Sequence, residues 1–259
     1  MQQKSPSPLS RALFSVFKFF FNLRYKRVKI DDSEQLKAKN TIIVANHAQL
    51  NGPLIAQLCL PENIYIWANG QMVKTRDVPK YAMDDFFPYK KGWTRIFYKI
   101  ASYLLAPLLP CVMANGRVIP VYHDIRMAAT VKNTIKKLFE GKNVMIFPEC
   151  HRKKNNVVNS FKEQFVDVAS LYYKRTGEKI RFLPMYIAPK LDLCCFGEST
   201  FFDPEEDLAT ERNRIAEHLS QEITRIARQL PEHTVIPFDN ISHREYITNK
   251  DVDLIPGEK

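Results

Sequence analysis

The sequence predicts an α/β protein: a single domain whose mixed, partly parallel sheet is flanked by helices, with an N-terminal amphipathic helical arm. Three observations lead there. Short runs rich in β-branched residues alternate with longer segments of helical apolar spacing. The 259 residues suit one full-sized domain plus a short arm. Hydrophobic residues at 45% and charged residues at 25% are ordinary globular values, which exclude a mainly disordered chain. The expected boundaries are an arm at 1–30, the α/β domain at 31–240 and a polar C-terminal tail at 241–259.

In the arm, Arg11, Ser15, Lys18 and Asn22 fall within a wedge of roughly 60° at about 100° per residue. The rest of that helix surface is Leu13, Phe14, Val16, Phe17, Phe19, Phe20, Phe21 and Leu23, followed by the basic run Arg24-Tyr25-Lys26-Arg27 and Lys29. A broad apolar arc with a basic collar suits a lipid interface, so membrane phospholipids are the expected partner of residues 9–29. The alternative is a helix packed on the body.

Beyond the arm, Thr41–Ala45 and Ile64–Trp67 read as strands, and Val118–Val121 as an edge strand because Pro120 cannot donate to a ladder. Asp124 is placed to cap a helix that stops at Gly141. Val144–Phe147 is a strand, and Ser160-x-x-Glu163 has the form of a capping box opening a helix. Phe182–Ile187 is strand-like. Asp203-Pro204 then starts a long helix that Pro231 ends. Residues beyond about 240 read as a loose polar tail. Leu9–Leu23 and Ile100–Met113, the latter broken by Pro107 and Pro110, are both shorter than the roughly 20 residues needed to cross a bilayer, so no span is expected. Ile100–Met113 has three readings: a second membrane contact, the wall of an acyl-chain tunnel, or a core helix kinked at Pro107.

The net charge of +10 points to a polyanionic partner, whether nucleic acid, anionic lipid or a phosphorylated substrate. No zinc-finger spacing, RNA-binding aromatic signature or basic-helix pattern is present, so nucleic acid is not expected. Eight glycines are too few for repeated glycine-rich phosphate loops. Five cysteines without a C-x-x-C pair read as free thiols of a reducing cytoplasm, and no metal or cofactor is expected.

Ligands of open α/β sheets gather beyond the carboxyl ends of strands, and two loops there carry unusual chemistry. Asn46-His47-Ala48-Gln49-Leu50-Asn51-Gly52-Pro53 follows one strand, and Pro148-Glu149-Cys150-His151-Arg152-Lys153-Lys154 follows another. If those strands are parallel neighbours, His47 and Glu149 face one cleft. A neutral histidine accepts a proton at pH 7, and the cations beside Glu149 are suited to a phosphate. Together they fit proton removal from an alcohol that carries a phosphate. A Cys150 thiolate activated by His151 is disfavoured, because adjacent side chains of an extended segment point apart.

At these residues the sequence resembles the glycerolipid acyltransferases, the group that includes 1-acylglycerol-3-phosphate acyltransferase. Asn46-His47 and Phe147-Pro148-Glu149 are similar to the family's first and third blocks, N-H-x-x-x-x-D and F-P-E-G-T-R. Val118-Ile119-Pro120-Val121-Tyr122-His123 resembles the second block, an apolar strand ending in Arg, and Leu183-Pro184-Met185-Tyr186-Ile187 the fourth. The resemblance covers about residues 40 to 190. It implies that His47 deprotonates the free hydroxyl of a lysophospholipid, whose oxygen attacks the thioester of acyl-CoA or acyl carrier protein. No acyl-enzyme and no metal are implied. Glu149 would help hold the glycerol portion and Arg152 would contact phosphate. The expected substrate-binding set is Asn46, Asn51, Gly52, His123, Arg126, Pro148, Arg152 and Lys153, around the catalytic pair His47 and Glu149. The expected location is peripheral, on the cytoplasmic side of a membrane.

Three departures stand out. Gly52 occupies the place of the first-block Asp, Cys150-His151 replace Gly-Thr in the third block, and His123 replaces the second-block Arg, with Arg126 three residues on. Without the Asp, a backbone carbonyl or Asn51 would have to fix the His47 tautomer. Gly52 reads as an N-cap before Pro53, which would bring a bare helix N-terminus to His47. An increased rate in Gly52→Asp would mark a handicapped site. The alternatives to the acyltransferase reading are a lipid-binding relative that lost turnover, and a transferase with another lipid acceptor such as an aminolipid or glycolipid.

Overall fold

The computed structural model describes residues 6–87 and 92–251. In chain order the elements are α1 (Pro8–Tyr25), β1 (Lys29–Ile30), β2 (Thr41–Ala45), α2 (Asn51–Cys59), β3 (Ile64–Asn69), α3 (Val78–Tyr81), α4 (Gly92–Leu105), α5 (Leu108–Asn115), β4 (Val118–Val121), α6 (Met127–Phe139), β5 (Asn143–Ile146), β6 (Glu149–Lys153), β7 (Asn159–Phe161), α7 (Asp167–Thr176), β8 (Arg181–Ala188), β9 (Leu193–Phe196), β10 (Thr200–Phe201) and α8 (Leu208–Gln229). The main sheet has the order β1-β9-β8-β2-β5-β3-β4, with β10 also against β8, and β6-β7 form a separate hairpin. Strands β8, β2, β5, β3 and β4 are parallel, and β9 and β10 run antiparallel to β8. This is the expected mixed, mostly parallel α/β sheet.

Side-chain alternation divides the core between the two faces of the sheet. Ile42, Val44, Val144, Ile146 and Phe182 pack with Ile135 and Leu138 of α6, Val168 of α7, and Ile215, Leu219 and Ile223 of α8. Ile43, Ala45, Met145, Leu183 and Met185 pack on the other face with Ile55 and Ala56 of α2 and with Tyr25. Because both faces are covered, β2 is buried at every position and reads as a continuous apolar run. Pro120 lies on the edge strand, as its missing donor requires. Pro184 is more central, but it sits opposite the gap between β10, which pairs Arg181 and Phe182, and β9, which pairs Met185 to Ala188.

Local signals misplace several helix starts. Ser160 lies in β7, and its supposed capping box opens no helix; α7 begins at Asp167 after a 3₁₀ turn. The N-cap of α8 is Asp207, whose carboxylate accepts from the Ala209 and Thr210 amides, so Asp203 only leads in. Asp124 accepts from the Arg126 amide ahead of α6, which starts at Met127.

The helical arm is anchored as well as amphipathic. Ser10, Phe14, Phe17, Phe21 and Tyr25 turn inward, while Leu9, Val16, Phe19, Phe20 and Leu23 stay exposed. The Ser10 hydroxyl meets Cys111 and Asn115 of α5, and Arg24 pairs with Asp192 at 3.0 Å. The second apolar stretch divides at Pro107, as its proline suggests, but α4 is not a core helix. Trp93 (88% exposed), Ile96, Phe97, Ile100 and Leu104 (74%) form an open apolar face. Gly92–Asn115 as a whole is long and apolar enough to cross a membrane by length and composition, because the apolar stretch extends back beyond Ile100.

The described part of the C-terminal tail, to residue 251, is polar but not loose. The Val235 amide donates to Ile247 O, and Thr234 bridges Thr248. Asn249 is fully buried and donates to Ala227 O at 2.7 Å. His233 Nε2 meets the Tyr186 hydroxyl at 2.8 Å on β8. Hydrogen bonds hold this segment, so its composition conceals its order.

Candidate active site

Two parallel strands bring the site together. Val44 of β2 is in register with Ile146 of β5, so the residues three positions beyond each, His47 and Glu149, leave the same edge of the sheet side by side. The His47 amide donates to Glu149 Oε1 at 2.6 Å, and the Asn159 amide of β7 donates to Oε2 at 2.8 Å. Glu149 is buried, and the desolvation of its charge raises its pKa to about 7 against the lowering effect of those two amides. The nearby Asp239 charge adds to the rise.

His47 is turned into place by a strained loop. Ala48 (φ 46°) and Gln49 (φ 53°) both lie in the left-handed region, at about 1 kcal/mol or more each for residues with a Cβ. The Gly52 amide donates back to His47 O at 3.1 Å and closes the turn into α2. Gly52 is therefore inside α2, not its N-cap, and its N–H is occupied. A Cβ there would stand 2.3 Å from His47 O and 2.9 Å from the Phe147 ring, so only glycine fits.

The imidazole packs edge-on against Phe147 (5.3 Å) and Phe238 (5.6 Å). Burial lowers its pKa; the Gln49 backbone and the Asp85 charge oppose that shift more weakly. His47 Nδ1 is buried and has no partner in hydrogen-bond geometry. The expectation that Asn51 fixes the tautomer is not met, and of the two alternatives it is the Gln49 backbone that bears on the imidazole. Asn51 Oδ1 instead accepts from the Tyr25 hydroxyl (3.0 Å), and its Nδ2 donates to Ala48 O (3.0 Å), so Asn51 ties the helical arm to the His47 loop.

The remaining expected site residues divide into two groups. Asn46 is buried with both ends of its amide on Ile187, donating to O at 3.0 Å and accepting from N at 2.7 Å, and so fastens the loop to β8. Pro148 is buried, and its carbonyl accepts from the Lys162 amide. By contrast Arg152 and Lys153 are exposed on the β6 strand that leads away from Glu149. His123 lies just past the carboxyl end of β4, and its pKa is lowered by burial and by the Lys162 charge. Arg126 is exposed, paired with Asp124 at 2.6 Å and stacked over the Tyr122 ring at 4.2 Å. Its hold on the Asp124 carboxyl lowers that group to about 2.

Sequence reasoning missed a further set of groups. Asp239 accepts from His151 Nδ1 at 2.6 Å and from Asn159 Nδ2 at 3.0 Å, and its carbonyl accepts from Gln49 Nε2 at 3.2 Å. Phe238 touches both His47 and His151, at 5.6 and 5.3 Å between ring centres. No motif marks Phe238 or Asp239, and only their place against the loops reveals them.

A family model described as Acyltransferase matches residues 27–188, more than half of the chain. No curated protein matches significantly. Among solved structures, the 1-acyl-sn-glycerophosphate (LPA) acyltransferase PlsC of Thermotoga maritima is similar at 15% identity and a TM-score of 0.48, over 86% of this chain and 83% of that one. The family match spans β2, β5 and β8 together with both loops that meet at His47 and Glu149, and by it this chain belongs to the acyltransferase family.

Proposed function

We propose that the protein moves a fatty acyl group from a thioester, acyl-CoA or acyl carrier protein, to the free hydroxyl of a lysophospholipid of the lysophosphatidic acid type. The observation that carries this reading is the 2.6 Å contact between the His47 amide and Glu149, which joins the two loops into one site. In the reaction His47 takes the hydroxyl proton, the oxygen attacks the thioester carbonyl, and the C–S bond breaks. Burial suits a neutral base. His123 and Arg126 follow β4, and Arg152 and Lys153 follow β5, strands that both run parallel to β3; these four are the candidates for the acceptor phosphate. Purified protein with labelled acyl-CoA and lysophosphatidic acid should release thiol and form diacylated product, and His47→Ala should lower that rate by roughly 100-fold or more. Vesicle binding without any thiol release would favour the non-catalytic relative, and activity only with an aminolipid or glycolipid would change the acceptor.

Peripheral binding to the cytoplasmic side of a membrane is part of the same proposal. Helices α1 and α4 both pack against α5 and each keeps an exposed apolar face, and Tyr25 links α1 to the His47 loop through Asn51. Deleting the arm would also strip Phe14, Phe17 and Tyr25 from the body, so the cleaner test alters its outer face. Phe19→Glu combined with Phe20→Glu should reduce cosedimentation with anionic vesicles by at least about tenfold, since each buried Phe is worth roughly 1.5–3 kcal/mol. Unchanged sedimentation would remove α1 from the interface.

A further inference from the structure

We infer that His151, held by Asp239, is a second acid–base group of this site and protonates the departing sulfur of the acyl donor. The inference deepens the proposed acyl transfer and rests on it. Its first support is the burial of His47. Loss of solvent around the imidazole disfavours its charged form, against the weaker pull of the Gln49 backbone, so His47 can take a proton but holds it poorly.

His151 has the opposite setting. Its side chain is 84% exposed, and its Nδ1 lies 2.6 Å from Asp239 Oδ1. A carboxylate only accepts, so Nδ1 carries the hydrogen and the bond fixes the orientation of the ring. Asp239 is itself fixed by one group from each catalytic loop region, Gln49 Nε2 on its carbonyl and Asn159 Nδ2 on Oδ2. Asn159 also donates its amide to Glu149, so the dyad and the buried carboxylate share one support. His151 Nε2 has no partner among the described residues.

Distance permits a divided role. Both imidazoles rest on the Phe238 ring, so their centres are at most about 11 Å apart. A base on the hydroxyl and an acid on the sulfur are separated by a hydrogen bond, the attacking O···C approach, the C–S bond and a second hydrogen bond, roughly 8–10 Å along a bent path. The exposed imidazole also suits the donor end, because the polar carrier of a thioester approaches from water. The step balances as follows. The hydroxyl proton passes to His47, the O–C bond forms, the C–S bond breaks, and the sulfur takes the Nε2 proton of His151 to leave as a thiol. His47 then loses a proton to water and His151 regains one.

The test varies the leaving group. Thioesters of an N-acylated aminoethanethiol and of a nitrothiophenol, carrying the same acyl chain, are compared with lysophosphatidic acid as acceptor. For the alkyl thioester, His151→Gln should lower kcat roughly 10- to 100-fold, below the top of the range for proton transfer because a thiolate leaves more readily than an alkoxide. For the aryl thioester, whose thiolate needs no proton to depart, the loss should shrink to less than about threefold. Asp239→Asn, at a positioning residue, should show the same donor dependence with smaller losses. An equal loss on both donors, or none on the alkyl donor, overturns the inference while acyl transfer stands. A wild-type protein with no turnover on either donor overturns both.

Discussion

Gly52→Asp is expected to abolish thiol release and destabilise the fold, although it restores the residue type of the family's first block. The added Cβ would stand 2.3 Å from His47 O, 2.9 Å from Phe147 Cε1 and 3.1 Å from His47 C. Two of those atoms are backbone of the catalytic loop itself, and the third belongs to the ring that buttresses the imidazole. None is the far end of a flexible chain, so the loop carrying Ala48 and Gln49 at positive φ must move. Overpacking of this kind costs typically 1–3 kcal/mol and sometimes more. We expect a loss of about 3 kcal/mol in urea unfolding, and thiol release no higher than that of His47→Ala. Gly52→Ala separates shape from charge: it should lose as much as Gly52→Asp. A rate gain in Gly52→Asp with none in Gly52→Ala would show instead that the loop accommodates the carboxylate and that His47 was waiting for it.

That reversal illustrates what the sequence shows and what it hides. The runs Thr41–Ala45 and Val144–Phe147 are legible because both faces of their strands are buried, and a parallel register then forces the following loops together. Whether Gly52 is a vacancy or a fit depends on the path of the His47 carbonyl, which no composition encodes. The β6-β7 hairpin is invisible for a related reason: Glu149-Cys150-His151-Arg152-Lys153 shows no apolar alternation, since its pairing is set by the buried carboxylate that binds the Asn159 amide. The same holds for the segment after α8. Asn249 and His233 look like surface residues in sequence, yet they are buried and bonded to the ends of α8 and β8. Asp239 meets a histidine 88 positions away, which only the folded chain discloses. For α4, the length of an apolar run is readable, but which face remains uncovered is not.

Glu149 should be the other position of large effect, and pH separates its structural part from its catalytic part. In Glu149→Ala the His47 and Asn159 amides both lose their acceptor inside the protein, at about 1–3 kcal/mol each. Loss of several kcal/mol and of the His47 loop geometry should follow together. Glu149→Gln is the sharper probe. Burial raises the wild-type carboxyl to about 7 in the folded protein, against an ordinary value of 4.5. Between those pH values the unfolded chain has released the proton and the folded chain retains it, so this group stabilises the fold most below about pH 4.5. Its contribution falls as pH rises and levels off above about pH 7, by up to about 3 kcal/mol. His47 and His123 are lowered from 6.5, so their effect runs the other way: folded-state stability from them rises as pH approaches 6.5. The wild-type curve is thus a sum of opposing slopes, and the difference between wild type and Glu149→Gln isolates the carboxyl. Urea midpoints from pH 5 to 8 should show the wild type losing its advantage over Glu149→Gln as pH rises. A difference that stays constant, or grows with pH, would mean the carboxylate is ionised throughout, with the two amides outweighing its burial.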